Sequence, residues 1–129
     1  MDDAAGLITR LSNHSVAETL DRLETELREK SITVFARIDH SGEAAKAGLS
    51  LRPTQVLVFG NPRSGTPLMQ AVQTAAIELP LKALAWEDAA GKVWLSTNEP
   101  RLLETRFGVE ASLLKPLGAV GPLLDAAAR

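Results

Sequence analysis

Residues 37–62 read RIDHSGEAAKAGLSLRPTQVLVFGNP, and they place Asp39-His40 after one apolar run and Gly60-Asn61-Pro62 after another. Val56-Leu57-Val58-Phe59 is continuously apolar between polar turns, the pattern of a strand buried on both faces or shielded by a partner. It is the expected central strand. Before it, Glu43-Ala44-Ala45-Lys46-Ala47 has the composition of a short helix that Gly48 ends, and Leu49 to Pro53 returns the chain to the sheet.

Working towards the N-terminus, residues 32–38 are rich in β-branched side chains and form a second strand expected to touch apolar material on both sides. Ser15-Val16-Ala17-Glu18 has the spacing of a reciprocal capping box. The helix it opens carries Val16, Leu20, Leu23 and Leu27 at helical spacing and runs to about Glu29. Arg22 with Glu26, and Glu26 with Lys30, place opposite charges four apart on its exposed side. Leu7 to Leu11 is a short strand.

Towards the C-terminus, Thr66 and Pro67 suit the cap and first position of a helix extending to about Thr74. Lys82 to Glu87 and Lys92 to Thr97 form a hairpin through Asp88-Ala89-Ala90-Gly91, where Asp at the start and Gly at the end suit a type I-based turn. Asn98 and Pro100 open a helix that Gly108 ends near Phe107. From Glu110 onwards, Pro116, Gly118, Gly121 and Pro122 break the chain into one or two short helices. The order is β-α-β-α-β-α-β-β-α-α. It predicts one α+β domain over residues 1–129: two layers, with a mixed sheet of about five strands packed mainly on one face.

Composition removes several classes of function. Cysteine is absent from the 129 residues, so disulfides, thiol nucleophiles and thiolate metal sites are excluded. Fourteen Lys and Arg against 16 Asp and Glu give a net charge of −2 with mixed signs, which attracts neither nucleic acid nor an anionic membrane surface. With no tyrosine and three phenylalanines, the surface lacks a stacking platform for bases. The start MDDAAGLITR is acidic where a secretory signal is basic, and no segment approaches the roughly 20 apolar residues that span a bilayer, so a cytoplasmic protein is expected. Two histidines and no ligand-spaced carboxylate cluster predict no metal and no cofactor.

The stretches ITVFARIDH, LRPTQVLVFGNPRSGTPLM, LPLKALAWED and GKVWLSTN resemble the domain of unknown function 302 family, with the similarity running over about residues 5 to 127. The resemblance implies a compact domain topologically akin to the repeat unit of the TATA-binding protein, often paired as a dimer, with no established reaction. One departure from the family pattern is Ser31, where glycine is common before the second strand.

Two candidate sites follow from the residues. Asp39 and His40 hold the ingredients for proton transfer, since an imidazole titrates near neutrality and a carboxylate can orient it. The alternative is that Asp39 caps the short helix beside a surface histidine. The second site is the stretch Asn61, Arg63, Ser64 and Thr66, which offers backbone N–H groups, two hydroxyls and a cation to a small anion; it lacks the spacing and lysine of a P-loop. Its alternative is a rigid turn in which Asn61 caps its own backbone. Trp86 can line a cleft with its indole N–H toward a ligand, or pack in the hairpin with Trp94.

Both turns follow successive strands and are expected to face one cavity, with His40 contacting the ligand. The resulting expectation is a homodimeric module, not an enzyme, that binds a small polar or anionic ligand. Asp39–His40 hydrolase or proton-transfer chemistry and a ligand-free dimerisation domain are the alternatives.

Overall fold

The computed structural model describes residues 6–129. Within them five strands, β1 (Leu7–Ser12), β2 (Thr33–Asp39), β3 (Thr54–Gly60), β4 (Leu81–Glu87) and β5 (Val93–Asn98), form one sheet in the order β1-β5-β4-β3-β2. The helices are α1 (Val16–Glu29), α2 (His40–Lys46), α3 (Pro62–Ala71), α4 (Arg101–Phe107), α5 (Ala111–Leu114) and α6 (Gly121–Ala128), with 3-10 helices at Gln73–Glu78 and Lys115–Val120.

All four strand pairings are antiparallel, which corrects the expected mixed sheet. The β2–β3 connection is long enough for a parallel crossover, but α2 fills only its first half and the chain doubles back beside β2. The centre of the sheet is β4, with β3 one place from the edge.

Strand alternation sorts the residues. Leu57, Phe59, Ala83, Ala85 and Leu95 point to one face and are sealed under Val16, Leu20, Leu23 and Leu27 of α1 together with Leu123, Leu124 and Ala127 of α6. A smaller core of Leu68, Ala75, Leu103, Val109, Leu114 and Leu117 packs among α3, α4 and the segment 109–117. Neither core extends to the opposite sheet face, where Val56, Val58, Leu84, Trp86 and Trp94 are half-buried and Leu11 and Ile38 are exposed. Thus the apolar run of β3 is sealed on one face only. Edge strand β2 is likewise open: Phe35 lies at a register irregularity between Val34 and Ala36 and is 54% exposed.

Local signals set the helix ends. Ser15 accepts from the Glu18 N–H at 3.1 Å, the forward half of the capping box. The expected Arg22–Glu26 pair gives way to a tertiary contact, because Arg22 donates to the carbonyls of Ala127 and Ala126 at 2.9 and 3.0 Å and so holds the end of α6. At the end of α1 the Ile32 N–H returns to the Leu27 carbonyl at 2.9 Å, which forces Ser31 to φ +58°. This left-handed position explains why glycine is favoured there. Gly48 and Gly108 end their helices at φ +77° and +70°. Helix α3 starts five residues earlier than expected, because Asn61 rather than Thr66 caps it and Pro62 takes the first position, leaving Pro67 inside.

Candidate functional site

Asp39 closes β2 and caps α2. Its carboxylate accepts from the Ser41 hydroxyl at 2.6 Å and the Gly42 N–H at 3.0 Å, and these two bonds, the hydroxyl foremost, hold its pKa below the ordinary 3.8. The Ser41 oxygen in turn accepts from the Thr54 N–H at 3.2 Å, tying α2 to the start of β3. His40, the first residue of α2, is exposed, and the Asp39 carboxylate is engaged by Ser41 and Gly42, not by its ring. The geometry is that of a helix cap.

The Asn61–Thr66 stretch is the first turn of α3. Asn61 Oδ1 accepts from the Arg63 N–H at 3.0 Å, and the Asn61 carbonyl accepts from Ser64 and Gly65, each at 2.9 Å. The N–H groups expected to hold an anion are therefore spent within the turn. Arg63 and Thr66 are exposed. Asn61 and Thr66 do border a cavity of about 210 Å³, but Phe35, Met69, Leu79 and Leu117 make its walls apolar.

The two turns do not meet. Asp39 pairs with Gln55 and Thr33 with Gly60, so they lie at opposite ends of the β2–β3 pair, roughly 20 Å apart at the ordinary rise of a strand. The expectation of one shared cavity rested on strands running in the same direction, whose outgoing ends gather on one side. Antiparallel neighbours send them to opposite sides.

Trp86 lies on the open sheet face and does not border the cavity beside Asn61 and Thr66; its indole N–H donates to Ser96 Oγ at 2.9 Å. Ser96 Oγ also bonds Thr9 Oγ1 at 2.8 Å, so a polar chain crosses β4, β5 and β1.

A larger cavity, about 310 Å³, lies between the sheet, α4 and the start of α6. Its walls include Ile8, Phe59, Leu103, Leu117 and Leu124, with Arg10 beside them and Arg106 and Glu78 paired at its border. Arg10 is on the helix-covered face of β1, paired across from Leu95, and its side chain is only 18% exposed. Its Nε donates to Asp125, while Nη1 is buried without a partner among the described residues. The sequence signal for this residue was an arginine inside a predicted strand, two positions from Ile8. The short segment LITRLS alternates too weakly to show which face is covered.

A family model described as "Domain of unknown function DUF302" matches residues 8–126. The chain belongs to the DUF302 family. A solved DUF302 structure, titled "uncharacterized conserved protein DUF302 from Bacillus stearothermophilus", superposes with a TM-score of 0.80 over 97% of each chain at 19% identity, which shows a shared fold. Curated relatives of this DUF302 chain include "Fluoride-specific ion channel FluC 1" of Brucella suis biovar 1, 47% identical over 84% of this chain and 42% of that protein. "Fluoride-specific ion channel FluC 2" of Brucella melitensis biotype 1 is equally 47% identical, over 84% of this chain and 40% of that one. The chain thus spans about two fifths of the length of the relatives it matches. Among the described residues no helix is long and apolar enough to cross a membrane, and no group of three or more His, Asp or Glu is placed to hold a metal ion.

Proposed function

We propose that this DUF302 chain is a cytoplasmic, non-enzymatic module that pairs with a second copy of itself and binds a small polar or anionic ligand. In the Brucella relatives, the reading gives the channel activity in their names to the unmatched part of each protein. The part resembling this chain takes an accessory role. Topological kinship with the TATA-binding protein repeat is kept as a matter of fold and carries no DNA binding.

The observation that carries the reading is the open sheet face. Val56, Val58, Leu84, Trp86 and Trp94 form a continuous patch across β3, β4 and β5, bordered by exposed Leu11 and Ile38. Contiguous apolar surface of this kind is uncommon on monomers and stabilising once buried, and aromatic residues are enriched where subunits meet. Mass measurement at micromolar concentration tests it. Two chains are expected, and Leu84→Glu should give one chain with unchanged secondary structure; a parent that is monomeric at every concentration refutes the dimer. A metabolite screen with turnover assays tests the rest: saturable binding without product supports it, and turnover replaces it with an enzyme.

A further inference from the structure

We propose that the cavity between the sheet, α4 and α6 binds an organic monocarboxylate with an apolar body, held by the guanidinium of Arg10; this assigns a site and a ligand class to the small-ligand reading above and rests on it. A cavity of about 310 Å³ sits at the lower end of the range for small-molecule sites, which spans about 300–1,000 Å³. Its apolar walls come from four places in the chain: Ile8 of β1, Phe59 of β3, Leu103 of α4, and Leu117 with Leu124 near the C-terminus.

Arg10 supplies the recognising group. A guanidinium carries five N–H donors, and here Asp125 takes the one on Nε. Nη1 is buried and has no partner among the described residues. With Nη2 it makes up the outer edge of the fork, whose spacing matches the two oxygens of a carboxylate. A buried donor left unpaired is costly, so an acceptor in the cavity gains from satisfying it once the Arg10 side chain turns Nη1 toward the cavity.

The walls narrow the class further. Fluoride is held in water by a full shell of donors, and a mostly apolar pocket whose two guanidinium groups, Arg10 and Arg106, already sit in ion pairs replaces few of them. A phosphate dianion needs surplus positive charge, yet Arg10 is paired with Asp125, Arg106 with Glu78 and Glu99 with Arg101, which leaves exposed Lys82 as the one lining cation outside an ion pair among the described residues. A carboxylate bearing an alkyl or aryl body matches both halves of the site. Its body removes apolar wall from water while its head completes Arg10.

Octanoate is a suitable probe, titrated into the full chain by calorimetry and amide NMR beside octanol, fluoride and inorganic phosphate. Octanoate should saturate one site per chain and shift the amides around Arg10, Leu103 and Leu117. Octanol, and octanoate with Arg10→Met, should bind at least about tenfold more weakly, the loss expected for a charge-assisted hydrogen bond. Ile8→Phe, which fills the cavity and leaves the Arg10–Asp125 pair in place, should weaken octanoate as well, and it serves should Arg10→Met not fold. The site is overturned if octanoate does not saturate at millimolar concentration, if octanol binds as tightly, or if the shifts map elsewhere. A dimer that binds fluoride or phosphate but not octanoate overturns this site alone, whereas octanoate bound by a strict monomer supports the site and sinks the dimer.

Discussion

Trp86 and Trp94 face each other across the β4–β5 hairpin with ring centroids 6.3 Å apart and planes at 29°, and their indole N–H groups leave in different directions. Trp86 donates to Ser96, while Trp94 donates to Asp88 at 2.9 Å. Asp88 also accepts from the Ala90 and Lys92 N–H groups, each at 2.9 Å, so one carboxylate joins the turn to the stacked pair.

The hairpin should weaken in acid through Asp88. The Trp94 indole, then the Lys92 and Ala90 N–H groups, lower its folded pKa below the ordinary 3.8. A depressed carboxylate stabilises the fold at every pH above its unfolded value, and that contribution disappears as pH falls through the folded value. Asp88→Asn should therefore melt below the parent at pH 7, with the difference shrinking below about pH 3.8. Thermal melts across that range check it; a gap independent of pH rejects the linkage.

Ser31→Gly should stabilise the protein. Ser31 holds φ +58° at the end of α1, a conformation that costs an L-residue roughly 1–2 kcal/mol and glycine little. The extra freedom of glycine in the unfolded chain offsets part of this, leaving a gain of about 0.5–1 kcal/mol. Urea denaturation measures it, and a loss of stability would show that Ser31 contributes more than backbone geometry.

Two leucines should behave very differently. Leu23 of α1 is completely buried against the sheet, and Leu23→Ala should cost about 2–5 kcal/mol through lost burial and the cavity left behind. Leu49 is 67% exposed, and Leu49→Ala should change stability by less than about 0.5 kcal/mol. Comparable losses at the two positions would show that Leu49 is covered in solution.

Asp39 and His40 separate in the same manner. Asp39→Ala removes the cap of α2, so amide exchange at Gly42 should accelerate and the helix should fray. His40→Gln should leave that exchange unchanged, since His40 is exposed and the cap is made by its neighbour. Faster exchange in His40→Gln would place the imidazole in the cap after all.

Much of this protein was determined by sequence alone, because the rules involved act over three or four residues. Ser15 capping α1, Gly48 and Gly108 ending helices, and the hairpin from Asp88 to Gly91 are each fixed by the dihedral freedom or hydrogen-bonding reach of one local side chain. The same locality misplaced the start of α3, where Asn61-Pro62 and Thr66-Pro67 are both valid openings and the first prevails. Tertiary structure alone decided strand direction, and with it that the turns after β2 and β3 lie at opposite ends of the sheet. It also brought Arg10 to Asp125 and Arg22 to Ala127, partners more than a hundred residues apart. Such pairs depend on which strand lies beside which and on how α6 packs over β1, and this is set by the summed burial of many apolar side chains, which no spacing between two polar residues records.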